Sequence, residues 1–246
     1  ALPWPTWSRP ASKTGSSRMP APPVISAKRA AKLNTKKHRE AELLFLAEGR
    51  TLIEEAPGPP IRVFDHKEYV RRVSALKTPT GPVGVFPFLD VPTVELLSAT
   101  ECIVLLHSVQ DPGNVGTVIR SAHAFGAGVA LSRGCADLYN PKTVRATMGS
   151  IFHAPVAREL DSLGFLEEAG RAGYRLVAAV PEEGDSSRSL PSGRVVICVG
   201  AEGAGLLKEV VEACEAEITI PSLAASLNAA VAASILLYEA YSRVLP

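Results

Sequence analysis

Residues 220–240 read IPSLAASLNAAVAASILLYEA. The strand-like pair Ile220-Pro221 leads through a short polar turn into a long apolar helix, and Ser226 and Asn228 stand where that helix begins. Serine and asparagine are common at this position because their side-chain oxygens accept hydrogen bonds from the free N–H groups of the first helical turn. Taken alone, the segment predicts a strand, a turn and a capped helix.

Two upstream segments have the same build. An apolar β-like run closes on a turn with glycine or asparagine and opens a helix in VLLHSVQDPGNVGTVIRSAHAFGA (residues 104–127) and in VVICVGAEGAGLLKEVVEAC (residues 195–214). Open α/β folds bind ligands at the carboxyl edge of the sheet. The three turns therefore predict one shared site at that edge.

Strands and helices alternate along the second half of the chain. The strand-like runs are apolar throughout, which is typical of a parallel sheet covered on both faces; they are CIVLLH, VALS, YRLVAAV, VVICVG and EITIP. Helices are expected from Asn114, Pro141, Gly205 and Leu227. This alternation predicts the α/β class, with residues 101–246 forming the domain that carries the site.

The amino-terminal part is organised differently. Residues 1–39 contain nine Lys or Arg and no Asp or Glu, whereas the net charge of the whole chain is +1. Such a basic, Pro-rich segment favours a polyanion as partner, although a solvated tail or part of an organellar targeting sequence has the same composition. We expect an extended arm over residues 1–27, a small α/β module over 28–90 and a linker over 91–100.

The composition excludes two other classes. With 46% hydrophobic residues and a mean hydropathy of +0.14 the chain can bury a full core, but no uninterrupted apolar run reaches the roughly 20 residues that span a bilayer. The four cysteines lack metal-ligand spacing, so we expect no metal and reduced thiols, which fits the cytoplasm or, alternatively, an organellar matrix; they are Cys102, Cys135, Cys198 and Cys214.

Polar residues in the turns are candidates for chemistry. Gly113 and Gly116 suit a tight turn, Asn114 is a cap candidate, and Arg120 is flanked by apolar residues that favour its pointing into a cleft.

In GAEGAG (residues 200–205) the spacing is not that of a dinucleotide fingerprint. Glu202 is either an exposed turn residue or a carboxylate close to a cationic cofactor or a substrate hydroxyl.

Together the segments resemble the SpoU/TrmH family of the SPOUT superfamily, the S-adenosylmethionine-dependent RNA 2'-O-ribose methyltransferases. The matching motifs are N-x-G-x-x-x-R, then G-x-E-x-x-G-L, then I-P followed by S-L-N-x-x-x-A. YNPKTVRATMGSIFHAPV (residues 139–156) is similar to the segment between the first two motifs, and the resemblance covers about residues 102–243. The third motif is shorter than in the family between Pro221 and Ser226.

The resemblance implies a fold and an activity. It implies a parallel-sheet SPOUT domain with a carboxyl-terminal trefoil knot, a small RNA-binding domain in front of it that looks like a ribosomal protein, and a homodimer with a composite active site. S-adenosylmethionine would be the cofactor and large-subunit (23S-type) rRNA the substrate. The alternatives are a tRNA 2'-O-ribose methyltransferase and a non-catalytic RNA-binding or ribosome-assembly factor of the same fold.

The resemblance also assigns residues, position by position. Arg120 would orient the substrate and stabilise charge, since a guanidinium resists deprotonation. The catalytic set would be Asn114, Arg120, Glu202, Ser226 and Asn228. The cofactor would be held around Val180, Val199, Gly200, Gly205, Ile220, Pro221 and Leu227. Candidate phosphate contacts, chosen for their charge, are Lys36, Lys37, Arg39, Arg50 and Arg145.

Overall fold

A computed structural model describes residues 25–79 and 81–243. Residues 1–24, which hold nearly all of the predicted basic arm, lie outside the described residues. Among the helices in the described ranges, none has both the length and the hydropathy needed to cross a bilayer.

The amino-terminal module is built on a three-stranded antiparallel sheet with strand order β1-β3-β2. Its elements are α1 (Ala27–Lys32), α2 (Lys36–Glu42), β1 (Leu44–Glu48), α3 (Arg50–Glu54), β2 (Arg62–Phe64), α4 (Lys67–Val73) and β3 (Val83–Pro87). Strands β2 and β3 lie in the stretches IRVFD and VGVFPF, which are rich in the β-branched and aromatic residues that favour strands. The boundary between α2 and β1 is not marked by a glycine, because Leu43 itself adopts the left-handed conformation, with φ 52°.

The second part is a seven-stranded parallel sheet with order β6-β5-β4-β9-β7-β10-β8. Its elements are α5 (Thr93–Ala99), β4 (Cys102–His107), α6 (Pro112–Ala124), β5 (Gly128–Ser132), α7 (Pro141–Ala146), β6 (Val156–Leu160), α8 (Ser162–Arg171), β7 (Arg175–Ala179), β8 (Asp185–Ser186), β9 (Val195–Gly200), α9 (Lys208–Glu212), β10 (Ala216–Thr219) and α10 (Ala229–Ser242). Short 3₁₀ turns lie at Ser150–Phe152 and Ser187–Ser189. The predicted α/β class is confirmed.

Alternate residues of each central strand pack into different cores, as the two-residue period of a strand requires. Val104 and Leu106 join the core under α6 and α10, whereas Ile103 and Leu105 join the core under α5, α8 and α9. All four are fully buried. The strands read as continuous apolar runs because both faces of the sheet are covered.

The predicted linker over residues 91–100 contains helix α5. Leu96 and Leu97 of this helix are buried in the same core as Ile103, and α5 packs on β5 and β6. Residues 91–100 are therefore part of the larger unit and do not act as a flexible spacer.

The small and large sheets share one hydrophobic core. Phe45 and Phe86 of the small sheet lie in the same cluster as Tyr139 and Phe152, with the rings of Phe45 and Tyr139 4.9 Å apart. The Tyr139 hydroxyl donates to Asp90 and accepts from the backbone N–H groups of Leu89 and Asp90. This contact fixes the amino-terminal module on the face of the sheet that carries α6.

Candidate functional site

One residue from each of the three turns meets the others in a polar cluster. Asn114 lies in the first turn of α6, Glu202 lies just after β9, and Asn228 precedes α10. The Asn114 Nδ2 donates to Glu202 Oε1 at 2.9 Å, and the Asn228 Nδ2 donates both to the same carboxylate oxygen and to Asn114 Oδ1, the latter at 3.1 Å. The three segments therefore converge at one site, as the sequence predicted.

Asn228 has two structural tasks at once. Its Oδ1 accepts from the backbone N–H groups of Ala230 at 3.0 Å and Val231 at 3.2 Å, which caps α10. Its Nδ2 is thereby turned toward Glu202. Because both ends of the amide are occupied, Asn228 holds the start of α10 against the loop after β9.

Asn114 does not cap α6; Asp111 does. The Asp111 Oδ1 accepts from the backbone N–H of Asn114 at 2.8 Å, and Pro112 occupies the first helical position. Aspartate followed by proline is a strong helix-start signal, and it is visible in the sequence. With the cap supplied by Asp111, the Asn114 side chain is free to bind Glu202.

The loop after β9 folds back on itself at a glycine pair. A Cβ on Gly200 would lie 2.1 Å from the carbonyl carbon of Gly205, so only glycine fits there. Gly205 has φ +66°, and Ala201 and Gly205 form an isolated bridge. This close backbone approach presents Glu202 at the tip of the loop.

The residues assigned to cofactor binding lie at one edge of the sheet. Strands β9, β7 and β10 are parallel neighbours, so their carboxyl ends open onto the same side. These ends supply Val180 after β7, Val199 and Gly200 in β9, Ile220 and Pro221 after β10, and Leu227 next to the cap of α10.

The loop over residues 220–227 leaves its backbone available to a ligand. Within the described part of the chain, its one recorded hydrogen bond runs from the Ser222 hydroxyl to the Ala224 carbonyl. Leu223 is fully exposed. Free backbone N–H and C=O groups, a close glycine turn and a nearby carboxylate suit a ligand with a heterocycle and a cationic centre, so these residues fit S-adenosylmethionine.

Two of the assigned catalytic residues stand apart from the polar cluster. Arg120 is exposed on α6, and its side chain has no recorded hydrogen bond or ion pair with any described residue. Six residues after Asn114, it lies about 9 Å further along the helix and on a different face. Ser226 is also exposed and makes no recorded hydrogen bond within residues 25–79 and 81–243.

The predicted phosphate contacts divide into two groups. Lys37 and Arg50 are exposed and Arg145 is half-buried in α7, while the Lys36 Nζ lies 2.7 Å from Glu159 Oε1. Arg39 is different because it is only 3% exposed and is paired with Asp137. Its assignment to RNA is corrected, since the guanidinium is used to join the two sheets.

Gly116 does not have the role in a tight turn that its sequence context suggested. It lies inside α6 and is buried, so it does not form a turn. A Cβ here would lie 2.5 Å from the Ala146 Cβ and 2.7 Å from the Thr143 carbonyl oxygen. Gly116 thus lets α6 approach α7 closely, and its position between Asn114 and Arg120 makes that contact part of the site's support.

In the described part of the chain, His, Cys, Asp and Glu side chains do not gather in threes in a way that could hold a metal ion.

Comparison with known proteins places this geometry in a family. The model of the SpoU rRNA Methylase family matches residues 101–238. The chain is 34% identical over 231 residues to the 23S rRNA (guanosine(2553)-2'-O)-methyltransferase RlmP of Bacillus subtilis, covering 85% of this chain and 92% of that protein.

Solved structures give the same result for the fold. The AdoMet-bound rRNA methyltransferase from Sinorhizobium meliloti is 30% identical with a TM-score of 0.79, covering 89% of this chain and 95% of that one. The SpoU methyltransferase AviRb from Streptomyces viridochromogenes, in complex with AdoMet, is 26% identical with a TM-score of 0.78, covering 88% of this chain and 97% of that one. With its three motif loops joined through Glu202, this chain belongs to the SpoU rRNA methylase family.

Proposed function

We propose that this protein transfers a methyl group from S-adenosylmethionine to a ribose 2'-hydroxyl of large-subunit rRNA. The observation that carries the proposal is the contact among Asn114, Glu202 and Asn228, which brings the three family motifs into one site. The enzymes named above for 23S rRNA 2'-O-methylation and for AdoMet binding support the reaction and the cofactor.

S-adenosylmethionine supplies an electrophilic methyl group when it is bound. Backbone groups at Val180, Ile220 and Leu227 would hold its polar parts, and the close turn between Gly200 and Gly205 would form part of the pocket wall. Glu202 supplies a carboxylate next to two side-chain amides, a polar surface suited to the ligand's positive charge or to a ribose hydroxyl. Alignment of reacting groups alone can lower a barrier by about 7–11 kcal/mol.

Arg120 orients the substrate and stabilises negative charge on the ribose oxygen, because a guanidinium stays protonated. Arg120 is exposed and separate from the cluster of its own chain, which supports a role at the site of a second copy. Exposed Val231 and Tyr238 on α10, which packs on α6, offer apolar surface for that copy. This proposal includes two features that the family resemblance implies. They are a homodimer with a composite active site and a knotted carboxyl-terminal segment.

The substrate is assigned to rRNA and not tRNA on the extent of the similarity. The rRNA methyltransferases of B. subtilis and S. meliloti align over at least 85% of this chain, a span that includes the amino-terminal module. That module carries exposed Lys37 and Arg50. The free thiols of all four cysteines support a reducing compartment, for which we propose the cytoplasm.

Methylation mapping tests the proposal. We expect purified protein with S-adenosylmethionine to add one 2'-O-methyl mark to large-subunit rRNA from cells that lack the protein, located by nuclease digestion and mass spectrometry. Arg120→Lys keeps the charge but loses the planar fork, and we expect it to be nearly as inactive as Arg120→Ala. A mark in tRNA would support the alternative substrate, and cofactor binding by calorimetry without any methyl transfer would support the non-catalytic factor.

A further inference from the structure

A cavity of about 320 Å³ lies at the carboxyl edge of the sheet. It opens beyond the ends of β4, β5 and β6 and between α8 and α9, and is lined by His107, Ser132, Arg133, Leu160, Asp161, Ser162, Leu163, Leu207, Glu209 and Val210. In the sheet, β5 and β6 lie on one side of β4, and β9 and β7 lie on its other side, so the strand order reverses at β4. In open α/β sheets this reversal point is where ligands bind.

The cavity offers both hydrogen-bond donors and acceptors. The Arg133 and Glu209 side chains are exposed, and neither has a recorded hydrogen bond or ion pair with the described residues. The His107 Nδ1 lies 2.8 Å from the Ser162 Oγ, which leaves Nε2 for a ligand, and burial lowers the pKa of His107, which favours the neutral ring. These groups match the mixed edge of a nucleobase.

Apolar side chains form the rest of the wall. Leu163 and Leu207 are 44% and 58% exposed, and Leu160 and Val210 lie beside them. Unstacked bases are held between apolar or aromatic side chains while their edges are read by hydrogen bonds. Carboxylates at Glu209 and Asp161 disfavour a phosphate, and the volume is at the lower end of the roughly 300–1,000 Å³ usual for small-ligand sites.

The cavity and the polar cluster border the same short loop. Glu202 lies near the start of the loop after β9, and Leu207 lies at its end. On the other side, β4 ends at His107 and the chain reaches Asn114 within the next turn. Because these two chain segments connect the cluster to the cavity, we expect a strand of RNA with its ribose at the cluster to bring a nearby nucleotide to the cavity.

We propose that this cavity binds an unstacked base of the substrate RNA, close in sequence to the methylated nucleotide. The inference rests on the proposed function and adds a site of sequence recognition to it. Arg133 and Glu209 then read the edge of the base, and Leu163 and Leu207 contact its face.

Photo-crosslinking tests the position of the base. Full-length protein with p-benzoylphenylalanine in place of Leu207 is irradiated with unmethylated large-subunit rRNA and no cofactor, and the crosslinked nucleotide is found by reverse transcription. We expect one dominant stop a few nucleotides from the mapped methylation site. The matched control replaces Val94, which is 75% exposed on α5 and away from the cavity. No stop specific to position 207, or a stop remote from the methylated nucleotide, would overturn the proposal.

Steady-state kinetics test the contacts. Arg133→Ala and Glu209→Gln should each raise the KM for RNA by about tenfold, the effect of one good hydrogen bond, with kcat and the S-adenosylmethionine Kd unchanged. Control variants Arg171→Ala and Glu212→Gln remove the same kinds of charge from exposed sites outside the cavity and should leave KM unchanged. Wild-type KM in both cavity variants contradicts base binding here. If the wild-type protein does not bind S-adenosylmethionine, the proposed function is contradicted instead. Because the crosslinking experiment contains no cofactor, it tests base binding separately from the proposed function.

Discussion

At the scale of single residues, the site depends on how one carboxylate is shared. Glu202 Oε1 accepts from the side-chain amides of Asn114 and Asn228, which come from two other parts of the chain. A hydrogen bond to a charged acceptor contributes about 1.5–3 kcal/mol, compared with about 0.5–1.5 kcal/mol for a neutral one. The charge of Glu202 therefore matters more for holding the loops together than its shape.

Glu202→Gln tests this dependence on charge. The variant keeps an acceptor oxygen of the same reach but weakens both hydrogen bonds, so we expect methyl transfer to fall at least about tenfold with weaker S-adenosylmethionine binding. Thermal stability should fall only slightly, since the residue is exposed and water screens both hydrogen bonds. Glu212→Gln is the control, because Glu212 is an exposed carboxylate that pairs with Lys208 in α9. Wild-type turnover and cofactor affinity in Glu202→Gln would show that the charge is not needed.

The sequence predicted which residues meet in the polar cluster better than it predicted the role of each residue. Asn114, Glu202 and Asn228 follow strand-like runs, and the rule that parallel strands end at one edge brings them together. The sequence could not show that Asp111 caps α6 in place of Asn114, because both residue types suit a cap. Nor could it show that Arg120 stands apart, since its surroundings depend on how α6 packs.

At the scale of elements, α6 is placed by a close crossing with α7. Gly116 makes this approach possible, because a Cβ there would meet the Ala146 Cβ at 2.5 Å and the Thr143 carbonyl at 2.7 Å. A backbone carbonyl and a Cβ bonded directly to the backbone of α7 cannot move aside as the end of a flexible side chain would. Asn114 and Arg120 lie on either side of Gly116, so their placement depends on this packing.

Gly116→Ala should therefore destabilise the protein although alanine is the better helix former. We expect a loss of about 1–3 kcal/mol in the free energy of unfolding from overpacking. The matched control is Gly170→Ala in α8, where the added Cβ has its nearest neighbour at 3.9 Å; there we expect no loss or a gain of about 0.5–1 kcal/mol. Urea denaturation measures both, and equal stability of the two variants would contradict the role of the crossing.

Element prediction succeeded where local signals were strong. The strands CIVLLH, VALS and VVICVG are confirmed as β4, β5 and β9, because long apolar runs of this kind suit a covered parallel sheet. Helix α5 was missed because its apolar residues fill a core made by distant strands, which the local pattern does not reveal.

At the scale of the whole molecule, an ion pair and a shared core decide how the two sheets face each other. Arg39 of α2 is 3% exposed, binds Asp137 at 2.5 Å, and also donates to the Leu33 carbonyl. Arg158 of the large sheet reaches back to Glu40 and Asp90. The sequence marked Arg39 only as one of several basic residues in a row, and the partner that buries it lies 98 positions away.

Arg39 and Lys37 should therefore respond differently to alanine substitution, although they are two positions apart in one basic helix. Arg39→Ala removes the ion-pair partner that Asp137 has among the described residues, and breaking such a buried pair costs about 3–5 kcal/mol of folding free energy. Lys37 is exposed and makes no recorded contact within the described ranges, so Lys37→Ala should leave the melting temperature unchanged. Its loss should weaken RNA binding and reduce the salt dependence of the RNA Kd by about one counterion. Calorimetric melting and RNA titrations at several salt concentrations measure both effects. If Arg39→Ala has wild-type stability and a weaker salt dependence of the RNA Kd, Arg39 contacts RNA and the correction of its role is wrong.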